Sequence, residues 1–554
     1  MTENTDHDDG SGVVNEDENN GVTRRDVLRG GVTLSAAIVG SNMVGRASAQ
    51  TSTTTGLSGS GTEADPYLID TASDLDAVRD DLAAHYKLTS NIDLSSIDNW
   101  QSIGGQFHDA GFTGTIEGNN HVIHGLTVNR PETDLTGLFT VIDGATITNL
   151  SLTGVTVIGA HYAGGLSGYS GYETGNTIEN CVVSGTITAD GSNEAGGLVG
   201  YDQDGAITGC TVNVTVESGD DGGAIVGRAS NTVITDCYAT GEVSAPVYTG
   251  GIAGEATGCE IRRCRFDGTV TSGRHGGGIA GHLDQSTAAE CLSTGTVTDP
   301  GSADAELSLG GVAGKTPGAT VSECASAVDV ETTSMVGYHG GLIGDGGLGA
   351  GCDLVNSYAT GSVTAAAVEN YTDENTRLAT GGVAGRFSGT GTSCYVAVPV
   401  VNAVSSATEA LVGGAYGMTD GLVSDDISGM YWDGDVAGHD TAIGHLGESQ
   451  QSYWQTRLSS GEMTGDAATG SMTTFDFDTV WVVTGSYPEL AAVNAIKWDD
   501  GVPDGEFSSG TTEDPIGGGV TDSQSPARWI PWGIAGLLGL GVAASDGDGE
   551  GGGE

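Results

Sequence analysis

A five-residue phrase recurs along this chain: two glycines, a branched apolar residue, any residue and a glycine. Its clearest copies are Gly196-Gly197-Leu198-Val199-Gly200, Gly250-Gly251-Ile252-Ala253-Gly254 and Gly277-Gly278-Ile279-Ala280-Gly281. Looser copies begin at Gly164, Gly223, Gly310, Gly340, Gly381 and Gly413, and the starts from Gly196 to Gly277 are 27 residues apart. A period of that size signals a solenoid, in which each repeat buries its apolar face only by stacking on its neighbours. The rest of the chain is then cap, address or decoration of the stack.

Fourteen residues after most pentads stands a second fixed point: Cys210, Cys237, Cys264, Cys291 and Cys324, with Cys181 and Cys394 at slightly different offsets and Ser357 once in their place. Three residues earlier lies Ile178, Ile207, Ile234, Ile261, Ala288, Val321 or Leu354, and six later Ile187, Val216, Val243, Val270, Val297, Val330, Val363 or Val400. These read as inward ladders of like residues, one per turn, at the ~4.8 Å strand spacing. Each turn therefore needs at least a pentad strand and a Cys-to-Val strand. Parallel side-chain vectors at that spacing keep neighbouring Cβ atoms farther apart than the ~3.8 Å of a disulfide, so the ladder reads as buried free thiols. Cys259 and Cys352 fall off the ladder and are the thiols expected to be reactive. No Cys or His spacing suggests zinc.

The residue after each pentad forms a column of another kind: Tyr169, Tyr201, Arg228, Glu255, His282, Lys315, Asp345, Arg386. If it points outward, Tyr169 stacks on Tyr201, Arg228 sits beside Glu255, and Asp345 lies between Lys315 and Arg386. Exposed pairs of this kind contribute ~0.2–1 kcal/mol each. The length of the repeat varies only in the link from the Cys strand to the next pentad, at 300–307, 331–339 and 365–380. Insertions at one place in a repeat project from one side of a solenoid. The longest carries Asn370-Tyr371-Thr372, an N-glycosylation sequon that marks Asn370 as the acceptor.

Glycine makes up 95 of 554 residues, and the net charge is -55 from 18 basic and 73 acidic residues. Such a charge excludes nucleic acid as a partner, because phosphate binding needs a basic footprint. Self-repulsion of this size is screened in brine, where the Debye length falls to ~3 Å or less. Lysine occurs only at Lys87, Lys315 and Lys497, and an acid-rich, Arg-over-Lys chain resembles the proteins of extreme halophiles.

At the N-terminus, residues 1–49 end in a secretory signal: Arg24 and Arg25 lead an uncharged run from Gly30 to Gly45 and then Ala47-Ser48-Ala49. The arginine pair resembles the twin-arginine export signal, whose pathway carries folded proteins. A linker at 50–61 precedes an atypical unit at 62–135, with one short helix signalled by Thr71 ahead of Leu75, Val78 and Leu82. Such a unit fits an N-terminal cap that covers the open end of the core. The repeats occupy 136–417. Residues 418–493 bring Tyr431, Trp432, Trp481 and Tyr487, aromatics expected to close the other end. An acidic linker (494–528), an uncharged run (529–544) and an acidic tail (545–554) follow. At 1.5 Å per residue the uncharged run spans about 24 Å against a bilayer core of about 30 Å, which makes it a short candidate for membrane attachment.

The pentads with their Cys-Tyr-Ala-Thr-Gly-x-Val partner, as at Cys237 to Val243, resemble the GLUG repeat family of surface proteins. Pro66-Tyr67-Leu68-Ile69, Phe112-Thr113-Gly114-Thr115 and Tyr487-Pro488 are also similar to that family, so the likeness covers about residues 61–491. The resemblance implies an all-β fold, a parallel β-helix, right-handed in the usual models, on exported adhesin-like or cell-surface proteins. It brings no catalytic residues.

Two functions compete. One is a surface or secreted scaffold whose insert loops contact a glycan, the surface layer or another cell. The other is a polysaccharide-active lyase or glycoside hydrolase, which needs paired carboxylates facing one groove or a base beside clustered acids. The candidate binding residues are Arg262, Arg263, Arg265, Arg274 and His275, a concentration of basic groups in one turn whose bland reading is ion pairing with local acids. No catalytic residue is assigned. No cofactor is expected; Ca2+ at turn carboxylates has no EF-hand or nonapeptide loop behind it.

Overall fold

The computed structural model describes residues 56–496, apart from 106–110, 172, 192, 302–305, 335, 348–349, 366–377, 403–409, 420–426 and 447–454. Arg24, Arg25, Asn370 and the run 529–544 lie outside the described residues.

One turn is enough to show the architecture. It comprises Tyr248–Gly250, Ala253–Thr257, Glu260–Arg262 and Arg265–Ser272, each paired in parallel with the segment one repeat before and after. The first segment belongs to a ten-stranded sheet, the second to an eleven-stranded sheet, and the last two to a sheet of 27 strands. The described residues are therefore an all-β parallel solenoid with a few short helices, as the repeats predict. Register follows the ladders read from the sequence. Ile207, Ile234, Ile261, Ala288, Val321 and Leu354 stand one above another, as do Val216, Val243, Val270, Val297, Val330, Val363 and Val400. All are buried in one continuous core. Parallel strands covered on the inner face bury such β-branched residues well, and each complete burial contributes about 1.5–3 kcal/mol.

The pentad is not a strand. Gly250 ends one segment and Ala253 begins the next, so the phrase is the corner between two sheets. Its glycines are set by crowding there. A Cβ on Gly250 would lie 1.9 Å from the Ala253 carbonyl oxygen, one on Gly251 would meet the Gly278 carbonyl and the Phe266 ring at 2.2 Å, and one on Gly254 would lie 2.5 Å from the Gly227 carbonyl. The branched third residue, Ile252, is wholly buried.

The ladder cysteines occupy a different corner, just before Thr211–Ser218 and its equivalents. All nine are free and buried. Each ladder thiol points at two carbonyls: Cys237 Sγ lies 3.2 Å from the Thr235 oxygen and 3.8 Å from that of Ile207 on the preceding turn. Ser357 serves the same place, donating to the Val355 carbonyl at 2.8 Å. The expectation of reactive thiols at Cys259 and Cys352 is overturned. Both lie in the core, and burial pushes their titration up to about 11 and about 12, so neither forms the thiolate that reactivity requires.

At the N-terminal end Tyr67–Ile69, His85–Leu88 and Thr115–Glu117 already stack in the long sheet. The helix Ala72–Asp76 starts with a capping box between Thr71 and Asp74 and sends Leu75 into the core, followed by Val78 from a 3-10 turn. At the other end the rungs continue through Ile427–Asp433 and Gln455–Leu458. The late aromatics do not simply close the stack. Trp481, Phe475 and Tyr487 pack with Tyr395 and Tyr431 in a second cluster reaching Leu292, Ala325 and Tyr358, which lies along the outer side of the long sheet over several turns. The column Leu292, Ala325, Tyr358, Tyr395, Tyr431 faces outward and apolar, so the segment has a flank to cover.

Candidate functional site

The corner made by the glycines brings two outward columns together. On the eleven-stranded sheet stands the column read from the sequence, and its register is as read, from Tyr169 through Arg228, Glu255 and His282 to Arg386. On the ten-stranded sheet the residue two places before each glycine pair forms the opposite wall: Tyr162, Glu194, Asp221, Tyr248, His275, Ser308 and Tyr338. The walls close into a polar seam that runs along the solenoid outside the core.

The seam has three parts. At its N-terminal end it is aromatic: Tyr162, Tyr169 and Tyr201 cluster with Leu135 and Val141. Tyr169 meets Tyr201 edge-on at 85° with centroids 4.8 Å apart, rather than in the stacked arrangement expected. At its C-terminal end Arg386 forks onto Asp345, Nε to Oδ1 at 2.7 Å and Nη2 to Oδ2 at 2.6 Å, and donates from Nη1 to the Tyr338 hydroxyl at 2.9 Å. This pair was expected to be solvent-exposed. It is not: the Asp345 side chain is 1% and that of Arg386 10% exposed, because the opposite wall covers them.

The middle of the seam holds the unusual chemistry. Arg228 Nε lies 3.1 Å from Glu255 and Nη1 3.6 Å from Glu194. His282 Nδ1 lies 3.5 Å from Glu255 Oε1, and the Tyr248 ring stacks on both His275 and His282. Asp221 faces the same group of charges. Burial and the nearby Glu255, Asp220 and Glu194 carboxyls push Asp221 up to about 8. Glu194 rises to about 7, chiefly through burial, against the pull of Arg228. For Glu255 burial also acts upward, but the neighbouring His282 and Arg228 outweigh it and hold the carboxyl below its usual range. Burial, together with Lys315, Arg274 and His282, drives His275 down to about 2, so its ring is neutral. Neighbouring acids with opposed titration behaviour are the arrangement that acid–base sites use.

Several buried atoms here have no hydrogen-bond partner among the described residues: Glu194 Oε2, Asp221 Oδ1, His275 Nδ1 and Ser308 Oγ. Also among the described residues, no group of three His, Cys, Asp or Glu side chains is arranged to hold a metal ion.

The five basic candidates separate into two places. Arg262 pairs with Glu290, Arg263 forks onto Asp236 at 2.6 and 2.7 Å, and Arg265 lies 3.5 Å from Asp267 and 5.4 Å from the Tyr238 ring centre. These three belong to the long sheet and its edge. His275 is in the seam, and Arg274 stands exposed beside it. Asp221, Glu194 and Tyr248 are not among the candidates that the sequence offers. A signal was present: the position two before each glycine pair is polar or aromatic from Tyr162 to Tyr338.

The fold and seam define a class, a parallel β-solenoid with charged and aromatic ladders along one corner. Residues 245–271 match the family described as the GLUG motif. It is 34% identical over 159 residues to halomucin of Haloquadratum walsbyi, which covers 27% of this chain and 2% of that protein. It is 41% identical over 112 residues to a candidate Gly-rich membrane protein of Evansella cellulosilytica, covering 18% of this chain and 13% of the relative. The chain thus spans only a small part of the length of the curated relatives it matches. A solved structure of a candidate immunoglobulin A1 protease from Bacteroides ovatus aligns with a TM-score of 0.33 at 17% identity, covering 78% of this chain and 94% of that one.

Proposed function

We propose that this chain is an exported cell-surface or secreted scaffold with an adhesin-like binding role, working in concentrated salt. The observation that carries the reading is where the repeat lengthens. The inserts lie between Thr298 and Leu307, between Thr332 and Gly337, and between Ala365 and Leu378, each directly before a strand that forms one wall of the seam. These three inserts therefore share one link of the repeat, the one that leads into the wall with the polar and aromatic ladder. Partners of the kind this suits are a glycan, the surface layer or another cell. The resemblance to halomucin and to a membrane protein supports a surface location, as do the paired arginines Arg24 and Arg25, and the run 529–544 supplies a means of attachment.

The test is to express the full chain in a salt-loving host and label intact cells with an antibody to the repeats. Surface labelling is expected, with loss of it on changing Arg24 and Arg25 together to lysine. Labelling only after lysis would sink the reading. A second reading, glycoside cleavage, is favoured by one observation: Asp221 and Glu255 stand on opposite walls, the first held protonated and the second ionised. Release of reducing ends from polysaccharide by the purified chain, abolished by Glu255→Gln, is what that reading requires.

A further inference from the structure

Most of the seam satisfies itself, and its middle does not. Between the aromatic end and the Asp345–Arg386 fork, four polar side chains on one wall are almost fully buried. Glu194 is 4%, Asp221 3%, His275 3% and Ser308 0% exposed, and each keeps an atom without a hydrogen bond among the described residues. A buried polar atom left unpaired costs about 1–3 kcal/mol. Four such atoms among five consecutive positions of one wall, with Tyr248 between Asp221 and His275, call for hydrogen-bonding groups that the wall itself does not supply.

The chemistry of the ligand follows from what surrounds those atoms. An anion is opposed by Glu255, which is held ionised. A cation is opposed by Arg228, which already serves the carboxylates, and by Lys315 and Arg274, whose charges both bear on His275. The unpaired atoms are also mixed: carboxyl oxygens accept, while a hydroxyl and a neutral imidazole nitrogen can do either. Only a ligand whose own groups both donate and accept, and which brings no charge, meets all of them. Hydroxyl groups have that property. The neighbouring rungs supply aromatic rings, with Tyr162 and Tyr201 half-exposed at one end of the stretch and Tyr248 half-exposed within it. Each rung advances about 4.8 Å, so the four steps from Glu194 to Ser308 run about 19 Å along the axis.

We infer that the middle of the seam, from Glu194 to Ser308, binds an uncharged oligosaccharide lying along the solenoid axis. Its hydroxyls pair with Glu194, Asp221, His275 and Ser308, and its apolar ring faces rest on the tyrosines at the rim. The inference rests on the binding reading above, but a test in solution separates the two, because where the protein resides has no bearing on it.

The experiment is calorimetric titration of the purified full chain, in concentrated potassium chloride at pH 7, with three kinds of hexasaccharide. These are uncharged glucose and mannose hexamers, an anionic galacturonate hexamer and a cationic glucosamine hexamer. Binding of at least one uncharged hexamer, at least tenfold tighter than either charged one, is expected. Ser308→Val and Tyr201→Ala should each weaken it by tenfold or more. Arg263→Ala, on the long sheet, should leave it unchanged. Amide exchange with the sugar present should slow at 194–202, 221–228 and 248–255, a readout that does not depend on the variants folding well. Failure of every uncharged hexamer to bind at millimolar concentration, stronger binding of a charged one, or protection confined to other segments would each overturn the assignment.

Discussion

The interior of the solenoid and its outer seam are built on the same turns but obey opposite rules. Inside, like stands on like: isoleucine on isoleucine, valine on valine, cysteine on cysteine. On the seam wall that carries Arg228, unlike repeatedly stands beside unlike: Arg228 next to Glu255, Glu255 next to His282, Asp345 next to Arg386. Apolar packing is non-directional, so identical shapes repeated at a fixed spacing suffice. Buried charges need a partner of opposite sign, so each substitution in a polar ladder has a specific neighbour to answer to.

Five substitutions would break or sharpen that contrast. The largest effect is expected where the two regions share a wall. Gly254→Val places atoms against the Gly227 carbonyl and the Gly222 and Tyr248 backbones. With no flexible side chain to yield, it should prevent folding, seen as loss of the cooperative melt and of the β-sheet circular dichroism. Next is the buried fork. Asp345→Ala strands the Arg386 charge under its cover and should cost about 3–5 kcal/mol by denaturant titration, while Asp345→Ala with Arg386→Met should recover much of that loss. A core deletion is comparable: Ile234→Ala should cost about 2–5 kcal/mol. If the single Asp345 variant cost no more than an exposed pair, the contrast between core and seam would fail.

The smallest effect lies in the pH dependence. Between about pH 4 and 8 an unfolded Asp221 loses its proton while the folded one keeps it. The native state then binds more protons than the unfolded one, so this group's contribution falls as pH rises through that window. Glu194 acts in the same direction up to about 7. His275 acts oppositely: below about 6.5 the unfolded ring gains a proton that the folded ring refuses, so its contribution falls as pH drops. Asp221→Asn should therefore flatten the decline of the melting temperature between pH 5 and 8.5 and leave the acid side unchanged. An identical profile for variant and parent would show that Asp221 does not titrate as its surroundings require.

Much of this molecule was open to reading from residues alone, because its information is periodic. The spacing of Gly196, Gly223, Gly250 and Gly277 determined a stacked repeat, the ladders through Cys237 and Val243 determined the inward faces, and the residue after the pentad determined one outward column in its true register. What the repeat could not convey was the angle between its parts. Whether the glycine phrase is a strand or a corner depends on how closely neighbouring backbones approach, and only the folded stack shows the carbonyls filling the space where a Cβ would be. The same closure set Asp221 and Tyr248 against Arg228 and Glu255, buried the Asp345–Arg386 pair, and separated Arg263 from His275. The late aromatics around Trp481 are a further case, since a flank and an end are equally apolar in sequence. Period and side-chain type travel along the chain, and the sequence carries them directly. Apposition between walls is made only when the chain has turned through space, so the seam belongs to the tertiary structure.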